Sequence, residues 1–127
     1  MIAYEEAKRM LDLALIDLKT IRKMVDAGEF ENSVFGFHAQ QAVEKTLKSW
    51  LSLRQVTYPK THDIRVLLIL LETQGEAAAK NYKHLANLTD FAVQFRYDFS
   101  ESMPTLNRLS TIADIEVLIA CVENLLS

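Results

Sequence analysis

From Tyr4 onward the residues Tyr4, Ala7, Leu11, Ala14, Leu18, Ile21 and Val25 recur at alternating steps of three and four, which lines them along one side of an α-helix. This predicts a first helix that stops near Gly28. A second series, Phe35, Ala39, Ala42, Val43, Thr46, Leu47 and Trp50, covers one arc of a helix from about Asn32 to Leu53. Pro59 then disfavours helix at Tyr58, Thr61 is placed to cap a short third helix, and Gly75 suits its end. Ala78, Tyr82, Leu85, Thr89, Ala92 and Arg96, widened by Leu88 and Phe95, predict a fourth helix from about Glu76 to Tyr97. A loop from Asp98 to Arg108, containing Pro104, precedes a final helix. Its inward face carries Ile112, Ile115, Ile119, Val122 and Leu126, and either Asn107 or Ser110 can cap it.

The joints are short, so sequential helices must run antiparallel. The expected architecture is all-α: an up-and-down four-helix bundle with an additional short helix, the third. Composition agrees, since thirteen alanines and eighteen leucines are interrupted by only three glycines and two prolines. With 127 residues, half of them apolar, the chain is expected to be one domain over residues 1–127 with an adequate core. Two helices carry more apolar surface than one core face needs. Ala113, Val117, Ala120 and Cys121 lie opposite the inward face of the final helix, and Leu13, Ile16 and Met24 lie off the main stripe of the first. Surface of this kind marks an interface, and a homodimer is expected.

Fourteen basic against seventeen acidic residues give a net charge of -3, so no global field draws the protein onto nucleic acid. A single cysteine, Cys121, excludes an internal disulfide, and its apolar surroundings suggest a buried, inert thiol. The longest run without Asp, Glu, Lys or Arg is the twelve residues Asn32 to Val43, against the ~20 needed to span a bilayer. Charges begin at Glu5 and leave no apolar export segment. A cytoplasmic protein without a membrane segment is expected.

Candidate chemistry sits in three places. In the second helix His38, Gln41 and Lys45 share an edge beside the apolar arc. The third helix begins with Lys60, Thr61, His62 and Asp63, a set of donors at a helix start that could receive an anion. Arg96 falls on an otherwise apolar stripe, where it either pairs with an acid such as Asp98 or points its planar fork at a phosphate or a partner carboxylate. Each set also has a plain structural reading as boundary histidine, solvated lysine or helix cap. No Gly-rich phosphate loop, His-Glu-x-x-His helix or paired Glu-x-x-His segments occur, and the three histidines lack ligand spacing, so neither a metal nor a cofactor is expected.

The runs Phe37-His38-Ala39-Gln40-Gln41-Ala42-Val43-Glu44-Lys45-Thr46-Leu47-Lys48, Tyr58-Pro59-Lys60-Thr61-His62-Asp63-Ile64 and Phe95-Arg96-Tyr97-Asp98 together resemble the HEPN domain, named for higher eukaryotes and prokaryotes nucleotide-binding. The resemblance implies a helical bundle that dimerises. Small stand-alone prokaryotic members are commonly encoded beside a minimal nucleotidyltransferase as halves of toxin and antitoxin pairs. Many relatives are metal-independent ribonucleases with an arginine followed, after four to six residues, by a histidine. Here Arg96 and Arg108 have no histidine at that spacing, and Arg54 precedes His62 by seven intervening residues across the joint between the second and third helices. Carried over by position, the family's polar residues match His38, Gln41, Glu44, Lys45, Lys48, Thr61, His62, Asp63, Arg96 and Tyr97. The resemblance implies a non-catalytic or weakly catalytic module that binds a minimal nucleotidyltransferase, with nucleotide or RNA as further ligands. The alternatives are a ribonuclease toxin using His62 or His38 with Arg96, or a purely structural dimer.

Overall fold

The computed structural model describes residues 2–26, 28–92 and 106–127, and among these it is an all-α bundle without strands. Three helices come first: α1 (Ile2–Lys23), α2 (Asn32–Leu53) and α3 (Ile64–Thr73). A 3-10 segment (Ala77–Leu88) follows and passes into α-helical winding at residues 89–92, and the final helix is α4 (Arg108–Leu126). The α1–α2 pair is the most extensive packing in the bundle. It is antiparallel: Ser49 Oγ donates to the Ala7 carbonyl at one end, and Lys45 meets Asp17 further along. α4 returns beside both.

α2 is the axis of the molecule, because none of its residues from Asn32 to Leu53 is fully exposed. Trp50, Phe35 and Leu47 from α2 meet Ile21, Leu67, Leu71, Phe91, Ile115 and Leu118 in one continuous core. Gly36 permits part of this. A Cβ there would lie 2.1 Å from the buried Phe91 ring, so only glycine lets the turn at residues 89–92 sit against α2.

Most of the α1 stripe is buried as expected, at Ala7, Leu11, Ala14, Leu18 and Ile21. Its ends differ. Tyr4 and Val25 are exposed, whereas Met24, placed off the stripe by sequence, is in the core. The reason is that α1 ends at Lys23 and not near Gly28. Asp26 Oδ1 accepts from the Gly28 N–H at 2.8 Å, and Arg108 takes the Met24 and Phe30 carbonyls at 2.7 Å each, which turns the chain inward.

Helix ends follow recognisable chemistry. α2 and α3 both finish in Schellman geometry: Val56 N–H reaches the Leu51 carbonyl and Glu76 N–H reaches that of Leu71. The left-handed residue is Gly75 (φ 87°) in one case and Gln55 (φ 59°) in the other. The cap of α3 is Asp63, whose side chain accepts from Arg65 N–H, and not Thr61, whose hydroxyl stands two residues earlier and accepts from Asp63 N–H. At α4 the cap is Asn107, which accepts from Ser110 N–H.

The fourth helix departs most from its expected form. It is wound as 3-10 through Leu88, and its buried residues are Ala79, Tyr82, Leu85 and Leu88, with Ala86 beside them. Phe91 continues that step of three. Three residues per turn is the 3-10 repeat, so these residues form one straight ridge, and Ala78, assigned inward at the α-helical period, is exposed.

Candidate functional site

Two carboxylates organise the polar edge of α2. Glu44 is nearly inaccessible, and its Oε2 accepts from Lys48 Nζ at 2.9 Å. Its Oε1 accepts from Gln40 Nε2 and lies 2.9 Å from His62 Nδ1, which must carry the proton because an ionised carboxylate only accepts. Gln40 donates further to the His62 carbonyl, and Gln41 donates to Gln40 Oε1. Lys48 also stands 5.7 Å from the centre of the Tyr58 ring. α2 is thereby tied to the residues that lead into α3.

Asp17, buried in α1, makes the second cluster. Lys45 Nζ donates to Asp17 Oδ2 at 2.7 Å, and His38 Nδ1 lies 3.3 Å from Asp17 Oδ1. The His38 ring meets Phe37 edge to face. His38, Lys45 and Lys48 are half-buried, while the His62 side chain is 45% accessible and Lys60 is exposed.

Burial is the largest influence on the Glu44 carboxyl and pushes its pKa up. Hydrogen bonds from Lys48, Gln40 and His62 outweigh it and hold the group below the ordinary carboxylate value. A similar balance acts at Glu76, where the Arg54 bond at 2.6 Å is the main cause of a lowered pKa and the Trp50 N–H adds to it at 2.8 Å. This second pair fixes the end of α2 to the start of the 3-10 segment.

The structure thus brings His38 and Lys45 onto Asp17, and Gln41, Lys48 and His62 together around Glu44 and Gln40, while the Thr61 and Asp63 side chains accept from backbone N–H groups at the start of α3. The edge is charge-balanced. The start of α3 offers little backbone to an anion, because the Asp63, Ile64 and Arg65 N–H groups are taken by Thr61 Oγ1, Thr89 Oγ1 and Asp63 Oδ1. Arg96 and Tyr97 lie outside the described residues. Cys121, expected to be buried, is half-exposed on α4. It faces the Tyr82 hydroxyl, whose pKa is pushed up to about 12 by burial first and by that thiol second.

Two residues escaped the sequence reading. Asp17 sits three residues after Ala14 and four before Ile21, and Arg108 sits four before Ile112, so both occupy buried-stripe positions. As at Arg96, a charge on an apolar stripe must be paired, and that is the signal both residues carry in the sequence. The Arg108 guanidinium carbon stands over the Phe35 ring, 5.1 Å from its centre. It also donates to Asn32 Oδ1 at 2.9 Å.

Among the described residues no group of three or more His, Cys, Asp or Glu side chains could hold a metal ion, and no helix is long and apolar enough to cross a membrane. A family model described as the HEPN domain matches residues 7–127, nearly the whole chain. No curated protein and no solved structure matches it.

Proposed function

The chain belongs to the HEPN domain family, and on that premise we propose that it is a binding module whose polar α2 edge recognises a minimal nucleotidyltransferase, with toxin and antitoxin as the two halves of the pair. One observation carries this reading: along the edge of α2 the cations are already paired, His38 and Lys45 with Asp17 and Lys48 and His62 with Glu44, in two pre-organised clusters whose outer members are wet. A phosphate approaching it would meet Asp17 and Glu44 as fixed negative charges and would find the N–H groups at the start of α3 occupied. A protein surface that supplies both donors and acceptors suits it better, since imperfectly paired polar groups cost affinity. Nucleotide or RNA is the secondary ligand in this reading.

Catalysis through the family's arginine-histidine pair is not part of the proposal, because neither Arg96 nor Arg108 is followed by a histidine at the required spacing. Metal-free cleavage of a structured RNA that disappears in His62→Ala would reverse it in favour of the ribonuclease. We place the seam of the homodimer on α4, where Val117 is 60% exposed, with Ala113 and Ala120 also exposed. Val117→Asp with Ala120→Asp should give monomer by light scattering, and an unchanged mass removes α4 from the seam.

The decisive experiment looks for a minimal nucleotidyltransferase in the neighbouring reading frame and titrates the protein with it and, separately, with nucleotides. Lys60→Glu alters an exposed side chain and should weaken the protein complex by roughly tenfold or more at unchanged melting temperature, and His62→Ala should weaken it as much while also lowering the melting temperature through loss of its bond to Glu44. Wild-type affinity in both variants, or no complex at all, defeats the proposal. Nucleotide binding without protein binding would transfer the edge to phosphate recognition.

A further inference from the structure

A second surface lies away from the α2 edge. α3 and the 3-10 segment run antiparallel, tied by the Ile64 N–H to Thr89 Oγ1 bond at one end and by Lys83 opposite Glu72 nearer the other. Between them is an open groove of about 370 Å³, walled by Arg65, Leu68, Ile69 and Glu72 from α3 and by Lys83 and Ala86 opposite. The α3 residues are spaced i, i+3, i+4 and i+7, one face of a helix two turns long. The floor is apolar, and Ile69 is 54% exposed.

The rim differs in sign from the molecule. The 3-10 winding brings Lys80, Lys83 and Ala86 into line, because residues three apart eclipse at three per turn, whereas α-helical winding would turn successive members about 60° apart. Lys83 therefore stands on one rim, with Lys80 one step further along the same line beyond the groove wall, and Arg65 stands on the other. Glu72 is the acid in the groove wall, and Lys83 reaches it only at 3.9 Å with its own side chain 65% exposed. In a chain of net charge -3 this is a local cationic surround to an apolar trough.

We propose that this groove docks an acidic amphipathic helix of a partner protein, with its apolar stripe on Leu68, Ile69 and Ala86 and its flanking carboxylates against Arg65, Lys80 and Lys83. The charge of the rim selects the sign of the flanks, and the apolar floor selects a folded peptide over a nucleic acid, whose backbone would gain nothing from Ile69 and would meet Glu72. This surface is separate from the α2 edge, and its failure would leave the reading of that edge intact.

The test uses the full chain and two blocked synthetic helices with leucine at i, i+3 and i+7, one flanked by glutamates and the other by lysines. Fluorescence anisotropy should show the acidic helix binding at least about tenfold more tightly. The exposed pair Lys80→Glu and Lys83→Glu should invert that preference, and Ile69→Ser should weaken binding of the acidic helix several-fold. Equal binding of the two helices, no binding of either, or an unchanged preference after charge reversal overturns the proposal. So does a short single-stranded RNA that binds the ridge more tightly than the acidic helix. Light scattering provides the remaining arm: if Ile69→Ser halves the mass of the wild-type protein, a second copy covers the groove and the acidic-helix proposal is wrong.

Discussion

Glu44 and Asp17 are both buried carboxylates, and each holds one lysine and one histidine, yet they are built differently. Glu44 draws two of its three partners from its own helix, Gln40 four residues before it and Lys48 four after, so α2 forms most of the cluster wherever it folds. Asp17 draws both partners from another helix, 21 and 28 residues away. One cluster is largely local and the other wholly tertiary. Burial differs as well: the Lys48 side chain is 13% accessible, whereas that of Lys45 is 26%.

The largest expected effect separates them by stability. Glu44→Ala leaves Lys48 and the fully buried Gln40 without their shared acceptor where water has little access, and it should cost about 3–5 kcal/mol in denaturant unfolding. Asp17→Ala should cost less, about 1–3 kcal/mol, because Lys45 and His38 are wet enough to be resolvated. A larger loss at Asp17 would break the comparison and make the interhelical cluster the main brace.

Acid sharpens the same contrast. The folded Glu44 pKa lies below its ordinary value of 4.5, so the folded state binds that proton less readily than the unfolded chain. Its contribution is therefore fully present above 4.5 and lost as pH falls through the lower folded value. The stability gap between wild type and Glu44→Gln should narrow over that acid range. A gap that widens on acidification would show the opposite sign of linkage.

A smaller effect tests how α2, which carries members of both clusters, is terminated. Gln55 occupies the left-handed position that ends α2, where Gly75 stands after α3. Gln55→Gly should raise stability by about 0.5–1 kcal/mol in the same denaturant assay, since glycine removes the Cβ clash. Destabilisation there would mean that the Gln55 side chain contributes contacts that outweigh its backbone strain.

Helices and their inward faces were largely legible from spacing alone, because the apolar period is a local property of the chain. The bounds of α2, the αL glycine at 75 and the buried Ile112, Ile115, Ile119 and Val122 of α4 needed nothing more, whereas the buried Leu118 fell outside the predicted face and Leu126 is only half-buried. The 3-10 segment was misread although its signal was present: Ala79, Tyr82, Leu85, Leu88 and Phe91 step by three, and a stripe fitted at the α-helical period hid it. For the candidate site, the sequence supplied the cations and histidines of α2 and the lead-in to α3, including Glu44, whose partners lie at i−4 and i+4.

Asp17 and Arg108 are different. Their side chains acquire meaning only when another element brings complementary groups within 3 Å or so, as α2 does for Asp17 and the α1–α2 joint does for Arg108. Which polar edge folds onto which acid depends on how the helices pack, a relation among residues far apart in the chain that no local period encodes. Helical identity and face were thus determined by the sequence locally, while the pairing that turned a row of cations into a charge-balanced edge was decided by tertiary packing.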